Sequence, residues 1–302
     1  MFDSLFAEGG LSLERLKVLI EVHDAGSIAR AAPGDPVRHS QYSRQLRELS
    51  QFFGCEVAQR RGKLVKLTVE GTRLAELARQ FLRGLEDFHA ECRSERVVYN
   101  IAAGDSLIQW LVIPRLGAML TSLPDVRFAT LNLRTDEIVQ QVADSRVDFG
   151  LVRRNAVVAG MKSASLGTLS YVAVVPEGLI TRKKLPSFSE VLRAFPLALQ
   201  TTDGQFTNRL REIALAAGGT FRPGLACQSF PQVFAAVKSG RFAAILPEIA
   251  AQELPPRSCH KIYGEPLLQL RREITLVWNP RVISVRRHAA NIATKIQAAL
   301  RF

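Results

Sequence analysis

Between Thr68 and Cys92 the chain places Leu74, Ala78, Phe81, Leu85, Phe88 and Cys92 at steps of four, three, four, three and four. Apolar residues at that spacing fall on one stripe of a helix, and a repeat this long reads as a heptad seam. Arg73, Glu76, Arg79, Arg83, Glu86 and Asp87 lie off the stripe. Thr68 is placed to cap the helix, and Glu70 stands near its positive end. No apolar partner for the stripe is obvious nearby, so it is expected to pair with a second copy of the chain. Packing against its own N-terminal residues is the alternative. The helix divides the chain into residues 1–67, a connecting segment 68–94, and residues 95–302.

The N-terminal part reads as short helices. Leu13, Leu16, Leu19 and Ile20 recur at helical spacing behind a candidate cap, Ser12. Gly26-Ser27 breaks that helix, and Ser27 can cap a second one, Ile28–Ala32. Pro33-Gly34-Asp35-Pro36 is expected to be a turn, because two prolines and a glycine cannot extend a helix. A third helix follows, with Tyr42, Leu46, Leu49 and Phe53 on its apolar face and Gly54 at its end. Arg60-Arg61-Gly62-Lys63-Leu64-Val65-Lys66-Leu67 then suits a short basic hairpin. Helices followed by a basic hairpin make a winged helix-turn-helix. Its third helix can enter the major groove, and the wing can rest on phosphates. A helical bundle with a charged face fits the same pattern.

Particular residues carry a resemblance. Leu16–Val22 followed by Gly26–Ala32 resembles the opening of LysR-type transcriptional regulators, as does Ser43-Arg44-Gln45-Leu46-Arg47-Glu48-Leu49 at the same spacing. Phe53–Arg60 is similar to that family's Gly-x-x-Leu-Phe-x-Arg segment, and Leu67-Thr68-Val69-Glu70-Gly71 to its Leu-Thr-x-x-Gly. The resemblance implies double-stranded DNA as partner. The family's groove-reading positions fall on His39, Ser40, Gln41, Ser43 and Arg44; the charge pattern adds Arg38 and Arg47 on the same helix, and Arg60 and Lys63 on the wing, as DNA-binding candidates. The resemblance also implies a dimer through Leu74, Ala78, Phe81, Leu85 and Phe88, or a tetramer built from such dimers. The chain departs from the family at Pro33–Pro36, at Arg38-His39-Ser40-Gln41 where the family has Ser-Gln-Pro-Ala, and at Ala58 where it has Phe.

From Val97 the rhythm changes to strands alternating with helices, which implies an α/β sheet. Val97–Ala102, Val126–Leu133 and Val147–Val152 read as strands, with a helix interrupted by Pro114 between the first two. Leu197–Leu199, Ala243–Leu246 and Ile274–Trp278 continue the pattern, and a last helix is expected near Ser284–Leu300. The order resembles the same family's effector domain, similar to periplasmic solute-binding proteins. Two α/β lobes, about 95–175 with 266–302 and about 176–265, would enclose a ligand cleft. The chain would cross between them near Val175-Pro176 and Glu265-Pro266. Clefts of such folds lie at strand C-termini and helix N-termini, where free N–H groups favour anions. Ser106, Thr201 and Thr202 are the leading contacts for a small effector, taken as an anion, and match family positions that hold inducer carboxylates. Gln200, Arg134, Arg153 and Phe230 are further candidates. Asp105 beside Ser106 would oppose an anion.

Composition bounds the alternatives. The 302 residues are 47% hydrophobic and 23% charged, which excludes a disordered chain. No apolar run reaches the roughly 18–20 residues of a membrane span, and Met1-Phe2-Asp3-Ser4 does not read as a secretory signal. The four cysteines form no CxxC, so neither a disulfide framework, a metal site nor a cofactor is expected, and a reducing cytoplasm is. The net charge of +12 does not locate the DNA site. Residues 1–93 hold 14 basic and 13 acidic residues, and the excess lies beyond them. Arg30–Lys66 alone, however, holds 8 basic against 3 acidic. An enzyme or solute-binding protein of periplasmic-binding-like fold with an accessory helical domain is the competing reading. Against an enzyme, the chain has no phosphate loop, HExxH, G-x-S-x-G or GxGxxG. Cys259-His260, after Pro255-Pro256, is expected in a loop.

Overall fold

A computed structural model describes residues 2–302 apart from Glu8, Lys63, Arg182, Lys183, 217–219, Arg287 and His288, and gives only the backbone of Ser4, Ile283 and Ser284. The chain forms two units: Met1–Val97 with Pro280–Ala289, and Val98–Asn279 with Ala290–Phe302.

In the first unit the helix boundaries are set by caps. Ser12 accepts a hydrogen bond from the Arg15 N–H at 3.2 Å and opens helix Leu13–Ala25, which ends at Gly26 with φ 75°. Ser27, itself buried, accepts from the Arg30 N–H and opens Ile28–Ala31. The next break is tighter than expected. Asp35 Oδ1 accepts from the N–H groups of both Val37 and Arg38 at 3.0 Å, and Pro36 is already the first residue of helix Pro36–Phe53. Proline is tolerated there because the first helical N–H has no partner to lose. Tyr42, Leu46 and Leu49 are buried, whereas Phe53, the last helical residue, is 37% exposed with its ring edge-on to Phe52. The hairpin pairs β1 (Ala58–Arg61) with β2 (Leu64–Leu67), Arg61 opposite Leu64, across Gly62 at φ 63°. Val57 is wholly buried, and Ala58, Val65 and Leu67 pack beside it on Leu19, Val22, Ile28, Leu46 and Leu49. Thus the hairpin is seated on the core with a small residue at 58, with Val57 buried beside it.

Thr68 joins hairpin to long helix. Its hydroxyl donates to the Glu56 carbonyl at 2.6 Å and accepts from the Gly71 N–H at 3.0 Å, while its own N–H donates to the Val57 carbonyl. The helix Val69–Cys92 then lies so close to Val57 that a Cβ on Gly71 would stand 1.9 Å from the Val57 carbonyl oxygen. The heptad stripe splits. Ala78 and Ala75 are buried in the unit's own core, with Leu74 and Leu82 packed at its margin. Leu77, Phe81, Leu85 and Phe88 remain 40–64% exposed, and Cys92 is exposed. The expected seam is therefore corrected at its N-terminal end. Leu74 and Ala78 serve intrachain packing, and Leu77 takes the place of Ala78 on the open face.

The same helix receives Pro280–Val285. Arg286 donates from Nε to Asp87 Oδ2 at 2.7 Å and from Nη2 to Oδ1 at 2.8 Å, with both residues under 9% exposed. Val285 packs at Gly84, where a Cβ would come within 2.7 Å of its methyl. The single last helix expected near Ser284–Leu300 is in fact two, Pro280–Val285 and Ala289–Leu300, and the first belongs with the long helix rather than with a lobe. The charge of Arg286 selects that place, since Asp87 neutralises it there.

Ten further strands follow among the described residues: β3 (Val97–Ala103), β4 (Val126–Asn132), β5 (Phe149–Arg153), β6 (Lys162–Leu169), β7 (Tyr171–Pro176), β8 (Leu197–Gln200), β9 (Pro223–Cys227), β10 (Ala243–Pro247), β11 (Cys259–Ile262) and β12 (Arg272–Trp278). They make two sheets, ordered β4-β3-β5-β12-β6 and β11-β7-β10-β8-β9. These are the two lobes of the second unit. β3 runs parallel to β5, and β8 parallel to both β9 and β10.

The chain changes sheet at Ser170, between β6 and β7, and returns between Leu268 and Arg272. The crossings expected near Val175-Pro176 and Glu265-Pro266 are corrected accordingly. Every residue of β7 is buried, as an interior strand requires, so it belongs wholly to the second lobe. β6, β9 and β11 had no sequence signal, and Cys259-His260 lies on the edge strand β11 rather than in a loop. Pro114 stands in the first turn of helix Ile113–Ser122, straight after a π-helical turn, Ile108–Val112, so it interrupts no regular ladder.

Replacing Gly71 by Ala tests the joint at Thr68. In an exposed helix that change stabilises by about 1 kcal/mol. Here the new methyl meets a backbone carbonyl, and a loss of about 1–3 kcal/mol is expected instead. Urea unfolding reads the sign, and a gain in stability would contradict the packing described.

Candidate DNA-reading face and effector cleft

Helix Pro36–Phe53 presents one polar face. His39, Ser40, Ser43, Arg44 and Arg47 line a shared concavity of about 810 Å3 with Ala29, Ala32 and Asp35. Arg44 Nε lies 3.7 Å from Glu48, which Arg15 also holds at 2.6 Å. Gln41 is exposed outside this concavity. Arg38 is exposed but held along the surface: it donates to the Tyr42 hydroxyl at 2.6 Å and lies over that ring, 3.9 Å from Glu21. That hydroxyl and the nearby carboxylates hold the Arg38 guanidinium above its ordinary pKa. Arg38 does not line the concavity. Arg60 donates from Nε to the Gly62 carbonyl at the hairpin tip, and Lys63 lies outside the described residues.

The second unit holds a cleft of about 1030 Å3 between its lobes. Its walls are the C-terminal ends of strands. Gly104–Leu107 follow β3, residues 132–139 end and follow β4, and Leu151–Arg153 close β5. From the other lobe come Gln200 and Thr202–Gln205 after β8, and Gln228–Phe230 after β9. This is where open α/β sheets bind ligands. Ser106, Thr202, Gln200, Arg134, Arg153 and Phe230 all line it. Thr201 does not; its N–H and hydroxyl both turn to the Cys227 carbonyl, at 3.0 and 3.4 Å.

Several polar atoms are poised. The Ser106 side chain makes no hydrogen bond to the described residues. Arg153 Nε and Gln200 Oε1 are buried without a partner. Arg153 itself reaches across the cleft, from Nη1 to Gln205 of the other lobe. The helix starts are capped from within: Glu137 accepts from the Arg134 N–H at 2.8 Å, Asp203 from Phe206 and Ser229 from Gln232.

The sequence reading missed the centre of this cleft. Arg272, at the start of β12, donates to Asp203 at 2.6 Å across the lobes, and its guanidinium lies 5.5 Å from the Phe206 ring centroid and 5.9 Å from that of Tyr171. Tyr171, Phe206 and Phe230 form one aromatic cluster with centroids 5.1–5.8 Å apart. Burial pushes the Tyr171 hydroxyl up to about 12, so it stays neutral. For Asp203, burial is the largest influence and pushes upward. The hydrogen bond and charge of Arg272, with the Phe206 N–H, outweigh it and hold the carboxyl below its ordinary value. A second link joins the lobes outside the cleft lining: Trp110 Nε1 donates to Glu253 at 3.1 Å, and its ring packs on Phe234. Arg272 follows a crossing that the sequence placed several residues early, so nothing in the pattern aimed it at the cleft.

Comparison with known proteins agrees with this architecture. The profile for the bacterial regulatory helix-turn-helix protein, lysR family, matches residues 13–72, and that for the LysR substrate binding domain matches residues 93–289. An uncharacterized HTH-type transcriptional regulator of Mycobacterium bovis is 24% identical over 278 residues, 87% of this chain and 88% of that protein. The regulator TrpI of Pseudomonas aeruginosa is 33% identical over 128 residues, 42% of either chain. Among solved structures, full-length OxyR from Pseudomonas aeruginosa aligns with a TM-score of 0.63 at 17% identity over 96% of both chains. LysG from Corynebacterium glutamicum, solved with bound effector arginine, aligns at 0.60 and 16% identity over 97% of this chain and all of that one. The chain belongs to the LysR family. It is a transcription regulator with an N-terminal helix-turn-helix domain and a C-terminal effector-binding domain of two α/β lobes. No helix among the described residues is long and apolar enough to cross a membrane.

The Asp203–Arg272 pair gives a pH test. A carboxyl whose folded pKa is depressed stabilises the fold above its unfolded value, near about 3.9, and that contribution is lost as pH falls through the folded value. Asp203→Asn is expected to lose about 2 kcal/mol at neutral pH and to show a shallower decline in stability below about pH 4. Urea midpoints measured against pH decide; parallel acid limbs for the two proteins would rule the linkage out.

Proposed function

We propose that this regulator reads its operator with His39, Ser40, Ser43, Arg44 and Arg47, supported by Gln41, Arg60 and Lys63 toward the backbone, and that a small anionic effector bound between the lobes controls it. Residues 1–67 would contact DNA, 68–94 would pair two copies, and the remainder would sense the effector. The observation that carries the effector reading is the pair of buried, unpartnered atoms, Arg153 Nε in one lobe and Gln200 Oε1 in the other, on residues that line the cleft together with Ser106. A buried donor and acceptor left unsatisfied cost about 1–3 kcal/mol each. A ligand with a carboxylate and a nearby donor recovers that cost by filling the cleft. Such a ligand favours the lobe arrangement it bridges, and this differential binding is what shifts a regulator between states. The role is binding rather than turnover, exercised on DNA in the cytoplasm.

A gel shift on the gene's own upstream region tests the DNA reading. Specific binding should survive excess competitor duplex at moderate salt, and Arg47→Ala should weaken it about tenfold. Binding that salt erases on every sequence alike would reject the reading. The double variant Ser106→Ala, Thr202→Ala should keep DNA affinity yet lose its response across a panel of small carboxylates; an unchanged response would retire the cleft contacts.

The exposed face Leu77, Phe81, Leu85 and Phe88 supports pairing of two copies through the long helix, which would set two reading helices on a pseudo-palindromic site. Phe81→Asp should give a monomer in sedimentation and abolish specific binding. A Phe81→Asp protein that sediments as a dimer would dismiss this seam.

A further inference from the structure

Beside the cleft, and sharing Arg153, Asn155, Gln205 and Arg272 with it, the second unit has another cavity of about 650 Å3 whose remaining lining the effector reading does not use. Five arginines line it, Arg153, Arg154, Arg209, Arg271 and Arg272, against a single acid, Glu273. Their carboxylate partners are known individually. Arg154 pairs with Glu273 at 2.8 Å, Arg209 with Glu212 at 2.6 Å, and Arg272 with Asp203 at 2.6 Å. The Arg153 side chain hydrogen-bonds the neutral amide of Gln205 and is ion-paired to no carboxylate among the described residues, although its charge is felt by Asp203, and the Arg271 side chain has no ion pair among the described residues. Three acids for five guanidinium groups leave an excess of two positive charges around one cavity.

The first two of those ion pairs are exposed and exchange readily with another anion, because surface pairs are worth little. An arginine presents a planar fork of N–H donors that matches the oxygens of a phosphoryl group. We infer that this cavity binds a phosphoryl group carrying about two negative charges, as inorganic phosphate or as a phosphate monoester, at a site that adjoins the effector cleft. Arg154, Arg209 and Arg271 distinguish it, since none of them lines the cleft; of these, Arg154 is paired with the cavity's own acid, Glu273, which leaves Arg209 and Arg271 as the residues to test. Arg153 and Arg272 line both cavities and hold cross-lobe contacts to Gln205 and Asp203. An anion that draws on them changes the affinity of the cleft for its effector, and the effector changes the affinity for phosphate by the same factor. Phosphate binding would thereby set how much effector the regulator needs.

The test is isothermal titration of the full-length protein with inorganic phosphate, at an ionic strength fixed with sodium chloride. One phosphate per chain is expected to bind saturably. Arg209→Gln with Arg271→Gln should weaken binding at least tenfold, while Ser106→Ala with Thr202→Ala leaves it unchanged. Both arginines are exposed, so the first pair of substitutions leaves the core intact; circular dichroism and Tm confirm that. Malonate, a dicarboxylate of equal charge, should bind less tightly than phosphate. Heats that chloride reproduces would overturn the proposal, as would equal phosphate affinity in the Arg209/Arg271 variant. Malonate binding as tight as phosphate would overturn the phosphoryl assignment. Loss of binding only in the Ser106/Thr202 variant would place the anion in the effector cleft instead.

Discussion

Arg272 stands at the start of β12 in one lobe, hydrogen-bonds Asp203 in the other, and lies against the rings of Tyr171 and Phe206. This one guanidinium ties the two sheets of the effector domain together at the cleft. Asp203 can hold it only because the same carboxylate begins helix Gly204–Ala216 by accepting the Phe206 N–H. The aromatic cluster gives the charge a polarisable bed that water would otherwise supply. Trp110 and Glu253 make the corresponding link elsewhere between the lobes. Two polar links, Arg272–Asp203 in the cleft and Trp110–Glu253 outside its lining, thus join the lobes. Such contacts are cheap enough to exchange with those of a ligand, and that is what a binding site between two lobes needs.

The N-terminal unit uses a different device. Its short helices cannot hold themselves in water and are fixed by side chains at their ends. Ser12, Ser27, Asp35 and Thr68 each satisfy N–H groups that the first turn leaves free. Thr68 does most, since it also clamps the Glu56 and Val57 backbone and so sets the hairpin against the long helix. The small core of Leu19, Val22, Ile28, Leu46 and Leu49 then has a defined shape to fill.

Much of this was legible from local rules. Ser12 and Ser27 announced their helices, Gly54 and Gly62 their turns, and the register of Gly26–Ala32, Ser43–Leu49 and Leu67–Gly71 carried the family resemblance. Asp35-Pro36 was misread because proline was weighed as a breaker, while the aspartate before it made the proline a starter. The heptad stripe was real, but periodicity cannot say what a stripe faces, and the intrachain core claimed Leu74 and Ala78. Strands β6, β9 and β11 were silent because partner strands stabilise them rather than their own apolar pattern. The crossing into β7 was displaced for a related reason: an apolar run does not reveal which sheet it joins. Most of the cleft candidates converge because they end strands, a position that sequence does show. Arg272 was missed because it begins one.

The Asp87–Arg286 pair joins residues 199 positions apart in sequence. Both charges are buried, and each has the other as its counter-ion. Loss of either alone would strand a charge at a cost of about 3–5 kcal/mol, although an apolar pair of similar volume could serve as well. The lineage of this chain therefore faces a valley at these two sites. Changes there must arrive together, or pass through a destabilised ancestor. Positions 87 and 286 should thus be inherited as a linked couple, varying in concert among descendants while the surface around them drifts freely.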